Sequence, residues 1–86
     1  GGGYEIVQIA VPELLVGKTL QESDLRGNYG LNLITVGKSR GMAGLSSTQQ
    51  PIHKVLGIPV PARVFEKDDI LVLFGLSKDV RRILKG

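Results

Sequence analysis

The 86-residue sequence contains no cysteine and no tryptophan. Without cysteine there is neither a disulfide framework nor a thiol nucleophile, as is usual in a reducing compartment. Only two tyrosines and two phenylalanines are present, too few for the stacking surface that single-strand binders use. The net charge is only +3, and the basic residues are largely scattered. We therefore expect no nucleic-acid partner.

Long apolar runs and catalytic groupings are also missing. No run approaches the roughly 20 apolar residues of a membrane-spanning helix, and no segment resembles a signal peptide. His53 is the single histidine, and no cysteine or carboxylate lies near it at metal-ligand spacing. The sequence offers no combination of nucleophile, base and orienting group. We therefore do not expect an enzyme.

Three carboxylates, Glu66, Asp68 and Asp69, lie close together in the sequence. Hard cations bind clustered oxygens of this kind. Aspartates are equally typical of a polar turn between two strands, and the segment 70–74 that follows is a continuous apolar run. We interpret the cluster as such a turn and predict no metal site.

A chain of 86 residues is one small domain, near the lower limit for a single hydrophobic core. Small domains often gain stability by oligomerisation, and we expect a homodimer. Gly1, Gly2 and Gly3 are interpreted as a cloning remnant or a linker. The domain is predicted to span residues 4–86.

The segment from Gly17 to Val36 carries the clearest local signals. Thr19 and Glu22 have the spacing of a capping box, which predicts a helix over residues 20–26. That helix is expected to end at Gly27 or Gly30, because glycine tolerates the left-handed conformation of helix ends.

A strand is predicted over residues 31–36, with Asn32 inside it although asparagine is depleted in strands. Residues that break a local pattern are often functional. The further predicted strands are 4–11, a short one within 52–60, 62–65, and a central strand 70–74 that ends at Gly75. A final helix is expected to be capped by Ser77 and to bury Val80, Ile83 and Leu84. Together the elements predict an α+β domain: a small β-sheet with two short helices.

The segment 37–50 is rich in glycine, serine and glutamine and is predicted to be a loop. So long a connection is unusual in a compact domain. A mobile loop and a concealed short hairpin are both compatible with it.

The order of these motifs resembles the C-terminal domain of regulator-of-potassium-conductance (RCK) proteins, also called the TrkA C-terminal domain. The resemblance covers most of residues 4–84. The motifs that carry it are Gly17-Lys18-Thr19-Leu20, Leu25-Arg26, Tyr29-Gly30, the apolar strand 31–36, Asp68-Asp69-Ile70-Leu71 and Gly75. The interval 38–62 departs from the family pattern, because it is longer than usual and contains Pro51, Pro59 and Pro61.

The resemblance implies a cytoplasmic regulatory domain at the inner face of the plasma membrane, attached to a potassium channel or transporter subunit. Domains of this family pair as homodimers. In a subset of them, cyclic di-AMP binds in the cleft between the two copies, which suits a two-fold symmetric ligand. No other cofactor is implied.

Four residues resemble the binding positions of that subset. Arg26 and Asn32 correspond to residues that contact the dinucleotide, and Leu20 and Leu33 to the apolar lining. Guanidinium groups pair with phosphate oxygens, and an amide can both donate to and accept from adenine. Structural roles are the alternative: Arg26 at a helix C-terminus, and Asn32 facing solvent.

Two other functions stay open at the level of the sequence. One is a purely structural dimerisation module without a ligand. The other is the same regulatory domain on a different cation or anion transporter.

Overall fold

The computed structural model describes residues 3–39 and 52–86. Within these ranges it contains four strands and three short α-helices. The elements are β1 (Tyr4–Ala10), a 3-10 turn (Glu13–Leu15), α1 (Leu20–Ser23), α2 (Leu25–Tyr29), β2 (Asn32–Lys38), β3 (Lys54–Val55), β4 (Asp69–Leu76) and α3 (Ser77–Lys85). The α+β class predicted from the sequence is confirmed.

The strands form one antiparallel sheet in the order β1-β4-β2-β3. The central position predicted for the apolar strand is confirmed, since β4 pairs with β1 on one side and with β2 on the other. The two-residue β3 pairs only with Gly37 and Lys38. Among the described residues, the first part of β2 therefore has no neighbouring strand on its outer edge.

The core lies on one face of the sheet, beneath the helices. Ten buried apolar side chains from the described strands, helices and connections form a single cluster. They are Ile9, Leu15, Leu25, Leu31, Val36, Phe65, Leu71, Leu73, Val80 and Ile83. The stripe predicted for the last helix is confirmed, because Val80 and Ile83 are buried in this cluster and Leu84 packs against it.

The opposite face of the sheet is more open than the sequence indicated. Continuous apolar runs such as those of β1 and β4 are typical of strands that are covered on both faces. Tyr4 and Ile6 on β1 are instead largely exposed, and Phe74 on β4 is partly exposed. This face is called the open face below.

The predicted first helix is divided in two at Asp24, which adopts a left-handed conformation with φ 42° and ψ 58°. Its carboxylate accepts a hydrogen bond of 3.1 Å from the Gly27 N–H and so caps α2. A Cβ on residue 27 would lie 2.2 Å from that carboxylate. Gly27 therefore serves this cap, and Gly30 ends the second helix.

The capping box of α1 is present as predicted. The Glu22 N–H donates to the Thr19 hydroxyl at 3.1 Å, and the Thr19 N–H donates to the Glu22 carboxylate at 2.8 Å. These hydrogen bonds from Thr19 lower the pKa of the Glu22 carboxyl. The sequence thus fixes where this short helix begins.

Three local predictions were wrong. Gly75 does not end β4, which continues to Leu76; instead, Gly75 leaves room for Leu31, whose Cδ2 would lie 2.5 Å from a Cβ on residue 75. The segment 62–65 forms only an isolated bridge between Val64 and Thr19. Ser77 makes no cap of its helix, because its hydroxyl donates to the Gly3 carbonyl at 3.2 Å.

The predicted 37–50 loop begins too early, because Gly37 and Lys38 belong to β2. The rest of that loop from residue 40 onward, and the tag or linker predicted at residues 1–2, lie outside the described residues. Pro51 does as well.

Candidate functional site

A pocket of about 440 Å³ opens beside the start of β2. It brings together all four side chains that the sequence singled out, from positions 20 to 33. Its lining consists of Leu20, Gln21, Asp24, Leu25, Arg26, Leu31, Asn32, Leu33 and Pro61. We call it the edge pocket, because it lies where the helices meet the first residues of β2.

The local fold explains why these four side chains converge. Leu20 is the first residue of α1, Arg26 lies in α2, and Asn32 and Leu33 begin β2. The chain turns between α2 and β2 at Gly30, whose φ is 68°. The Gly30 N–H donates to the Arg26 carbonyl at 3.0 Å, and the Leu31 N–H donates to the Leu25 carbonyl at 3.1 Å. The left-handed Gly30 and its bond to the Arg26 carbonyl form an αL C-cap, and the chain returns beside the helix that it has just left.

Arg26 is the cationic group of the edge pocket. Its side chain is exposed and has no hydrogen-bond or ion-pair partner within residues 3–39 and 52–86. Asp24 also lines the pocket, but its carboxylate is engaged by the Gly27 N–H. The guanidinium therefore keeps its donors available for an anion, with apolar Leu20 and Leu33 nearby.

Asn32 is exposed at the first position of β2, directly opposite Phe74 of β4. Its side-chain amide has no partner within the described ranges. The presence of an asparagine in a strand, which drew attention to this residue, thus has a simple structural basis. The asparagine occupies the open face at a strand end, where a polar group stays solvated, and it lies next to Arg26 in the lining of the pocket.

Pro61 is the lining residue that comes from outside the segment 20–33, and it was not among the predicted site residues. The Gln21 N–H donates to the Pro61 carbonyl at 2.9 Å, and the Leu20 N–H donates to the Arg63 carbonyl at 2.9 Å. These bonds occupy two of the free N–H groups at the start of α1. They also hold Pro61 against the pocket. Only the departure of residues 38–62 from the family pattern had pointed to this segment.

The acidic cluster is linked internally by basic residues. The Lys38 ammonium lies 2.7 Å from a carboxylate oxygen of Asp68 and 2.7 Å from one of Asp69, and it also contacts Glu66. Arg63 makes a bidentate pair with Asp69, with N–O distances of 2.7 and 3.0 Å. Two of the three negative charges in the cluster are therefore balanced by the protein's own cations.

The contacts within this cluster shift the pKa values of Lys38 and Asp69. Burial opposes the ionisation of Lys38, but its bonds to the carboxylates outweigh this effect and raise its pKa. Burial likewise acts to raise the pKa of the Asp69 carboxyl. Hydrogen bonds from Arg63 and Lys38 more than offset it and hold that pKa below its ordinary value of 3.8.

Stability is expected to depend on the ionisation of Asp69 at acid pH. Because the folded-state pKa is lower than the unfolded one, the stabilisation is complete above about pH 4 and is lost as pH falls through the folded pKa. Urea unfolding at a series of pH values below 4 should show this decline.

The Asp69→Asn variant should be less stable near neutral pH, and its stability should decline less as the pH falls. Glu13→Gln, which removes an exposed carboxylate without a contact in the described residues, should follow the original curve. Equal slopes for all three proteins would contradict the assignment.

The antiparallel sheet and its helices match the fold of a solved RCK C domain. The structure is similar to that of the RCK C domain of the potassium transport protein KtrA in complex with cyclic di-AMP. The TM-score is 0.65 at 26% identity, over 95% of this chain and 81% of that one. The RCK domain of GsuK shares the fold at 19% identity, with a TM-score of 0.66 over 96% of this chain and 16% of that one.

The TrkA-C domain family model matches residues 5–85, and the chain belongs to that family. The resemblance noted in the sequence is thereby confirmed. A relative among characterised proteins is the Ktr system potassium uptake protein C of Bacillus subtilis (strain 168), which is 26% identical over 82 residues. The match covers 95% of this chain but only 31% of that relative. None of the helices in residues 3–39 and 52–86 has the length and apolarity to cross a membrane.

Proposed function

We propose that this chain is a cytoplasmic, ligand-sensing regulatory domain of a potassium channel or transporter. In this proposal it acts as a homodimer at the inner face of the plasma membrane, attached to the membrane subunit that it regulates. Cyclic di-AMP is the proposed ligand, bound between two copies at their edge pockets. The KtrA domain of similar fold was solved with this dinucleotide.

The convergence of Leu20, Arg26, Asn32 and Leu33 on one pocket carries the proposal. Two of these residues supply apolar surface and two supply polar groups, which is the usual composition of a small-ligand site. The polar pair has no competing partners in the described residues. If Arg26 only stabilised the C-terminus of its helix, it would not need to lie in a pocket or beside the Asn32 amide.

Each polar group suits a different part of the ligand. The Arg26 guanidinium forms paired, charge-assisted hydrogen bonds with phosphate oxygens. The Asn32 amide donates and accepts at once, which matches the edge of adenine. Leu20 and Leu33 supply apolar contacts. A two-fold symmetric ligand would meet the same set of residues from each copy.

Regulation requires that the ligand favour one arrangement of the two copies. A ligand that binds two arrangements equally well shifts neither population, however tight its binding. Contacts that reach from the edge pocket of one copy to that of the other depend on their separation. Binding would therefore select a separation and transmit it to the attached transport subunit.

Titration calorimetry with cyclic di-AMP tests the site. We expect saturable binding at one ligand per two chains. Arg26→Ala should weaken it by about ten- to a hundredfold, because hydrogen bonds to charged groups contribute about 1.5–3 kcal/mol. The matched control is Arg81→Ala, which removes the same charge from an exposed position on α3. It should leave the affinity within about twofold of the original.

The results separate the site from the function. Equal affinity of the Arg26→Ala and original proteins would remove the edge-pocket assignment. No heat and no thermal stabilisation by cyclic di-AMP, with a dimer in sedimentation velocity, would support the purely structural dimerisation module. A strictly monomeric chain would overturn the dimeric arrangement itself.

A further inference from the structure

A second pocket adjoins the edge pocket on the other side of Arg26 and Asn32. It has a volume of about 330 Å³, and its lining includes Tyr4, Gly30 and Phe74 in addition to those two polar residues. We call it the aromatic pocket. Arg26 and Asn32 thus stand between two concave surfaces, one lined by leucines and a proline and the other by aromatic rings.

The aromatic rings are held in place by the sheet. Phe74 lies between Ile6 of β1 and Asn32 of β2 in the register of the open face. Tyr4 lies one pair further along and stacks on Phe74, with ring centroids 5.3 Å apart and planes 6° from parallel. The chain before Tyr4 is fixed by a 3.1 Å hydrogen bond from the Ser77 N–H to the Gly3 carbonyl. The pair is therefore preorganised.

Both rings remain accessible although they touch each other. Tyr4 is 68% exposed and Phe74 is 40% exposed. Half of the four aromatic residues in the sequence therefore form one exposed stack, next to an arginine that has no partner in the described residues. A planar ring can cover such a stack, and base–aromatic stacking is favourable for every nucleobase.

We infer that the aromatic pocket binds a purine ring, stacked on Tyr4 and Phe74, of a nucleotide whose phosphate is held by Arg26. The inference rests on the proposed function. It adds a second position for a ring, beside the same two polar residues, Arg26 and Asn32. Asn32 can reach the edge of a base in this pocket, because it lines both cavities. The nucleotide phosphate then occupies the ridge between them.

The same chemistry is available from two sources. The ring can be a base of the cyclic dinucleotide, or the base of a separate mononucleotide such as AMP. The stoichiometry of binding distinguishes them. A cyclic dinucleotide shared by two copies saturates at one per two chains, whereas AMP saturates at one per chain.

Tyrosine fluorescence gives a direct measurement of the stack. The sequence contains two tyrosines and no tryptophan, so a Tyr29→Phe protein has Tyr4 as its single emitter. Titration of this protein with cyclic di-AMP, and separately with AMP, should quench the Tyr4 emission in a saturable manner. Unchanged emission during calorimetrically saturating binding would overturn the inference, since a purine stacked on Tyr4 would alter it.

Affinity measurements provide the second test. Tyr4→Leu and Phe74→Leu should each weaken binding of the quenching nucleotide by about five- to a hundredfold, the range observed when a stacking ring is removed. Tyr4→Phe keeps the ring and should keep the affinity. The matched control is Ile6→Ala, on the same strand and the same open face but outside both pockets.

The outcomes distinguish this inference from the proposed function. If Arg26→Ala weakens binding while Tyr4→Leu and Phe74→Leu bind like the original protein, the edge pocket stands and the aromatic pocket is overturned. If the aromatic variants and Arg26→Ala all weaken binding, the aromatic pocket and the phosphate contact of Arg26 are supported. If the original protein binds neither cyclic di-AMP nor AMP, the proposed ligand site and the aromatic-pocket inference are both overturned.

Discussion

Replacing Asp69 by alanine is expected to lower the free energy of unfolding by about 3–5 kcal/mol, the usual effect of removing one partner from a buried ion pair. The Asp69 side chain is fully buried and contacts Lys38 and Arg63 at 2.7 Å. It also accepts a 2.8 Å hydrogen bond from the Glu66 N–H. Since small domains have about 5–15 kcal/mol of stability in total, urea unfolding should show a large shift of the midpoint.

Asp68→Ala is the matched control for this experiment. Asp68 contacts the same lysine at 2.7 Å, but its side chain is 52% exposed. Surface ion pairs contribute about 0–1 kcal/mol, and the control should remain close to the original protein. Similar losses for the two variants would show that burial does not determine the contribution of Asp69.

Phe65→Ala is expected to cost about 3–5 kcal/mol, because it removes a large side chain from a packed core. Phe65 is only 1% exposed and belongs to the central cluster. Its backbone is fixed from both sides, since its N–H donates to the Lys18 carbonyl and its carbonyl accepts from the Gly17 N–H, each at 2.9 Å. A cavity would therefore be difficult to close by movement of the chain.

Val64→Ala controls for the loss of an apolar side chain at the neighbouring position. Val64 is 46% exposed, and its truncation should change stability by less than about 0.5 kcal/mol, as is usual for surface substitutions. Thermal denaturation of both variants gives the comparison. If Phe65→Ala were as mild as Val64→Ala, the segment around residue 65 would contribute little to the core.

These two predictions concern the support of the edge pocket as well as stability. Asp69 holds Arg63, and Phe65 anchors the same segment in the core. The Arg63 and Pro61 carbonyls accept hydrogen bonds from the start of α1. Loosening this segment would therefore move Pro61 away from the pocket. A destabilised Phe65→Ala protein should bind cyclic di-AMP more weakly even where it remains folded.

Elements with strong local signals were predictable from the sequence. The capping box at Thr19 and Glu22 placed the start of α1, and the stripe of Val80 and Ile83 identified the buried side of α3. The apolar run 70–74 indicated the central strand. In each case the signal is a pattern of neighbouring residues, so a short window of the sequence contains the information.

Predictions failed where a distant residue determined the conformation. Gly75 suggested the end of a strand, whereas it provides space for Leu31 across the sheet. Ser77 suggested a helix cap, whereas its hydroxyl bonds to Gly3. The break at Asp24 was missed as well, because left-handed residues other than glycine are uncommon and have a weak sequence signature.

The sequence by itself determined the family, the α+β class and the identity of the four candidate binding residues. Only the tertiary structure decided that these four share one pocket, that Pro61 completes it, and that Tyr4 and Phe74 stack beside it. The reason is physical. Helix caps and apolar periodicity depend on residues within one or two turns, whereas a pocket depends on which strands pair and in which register, and those pairings join positions as distant as Tyr4 and Leu76.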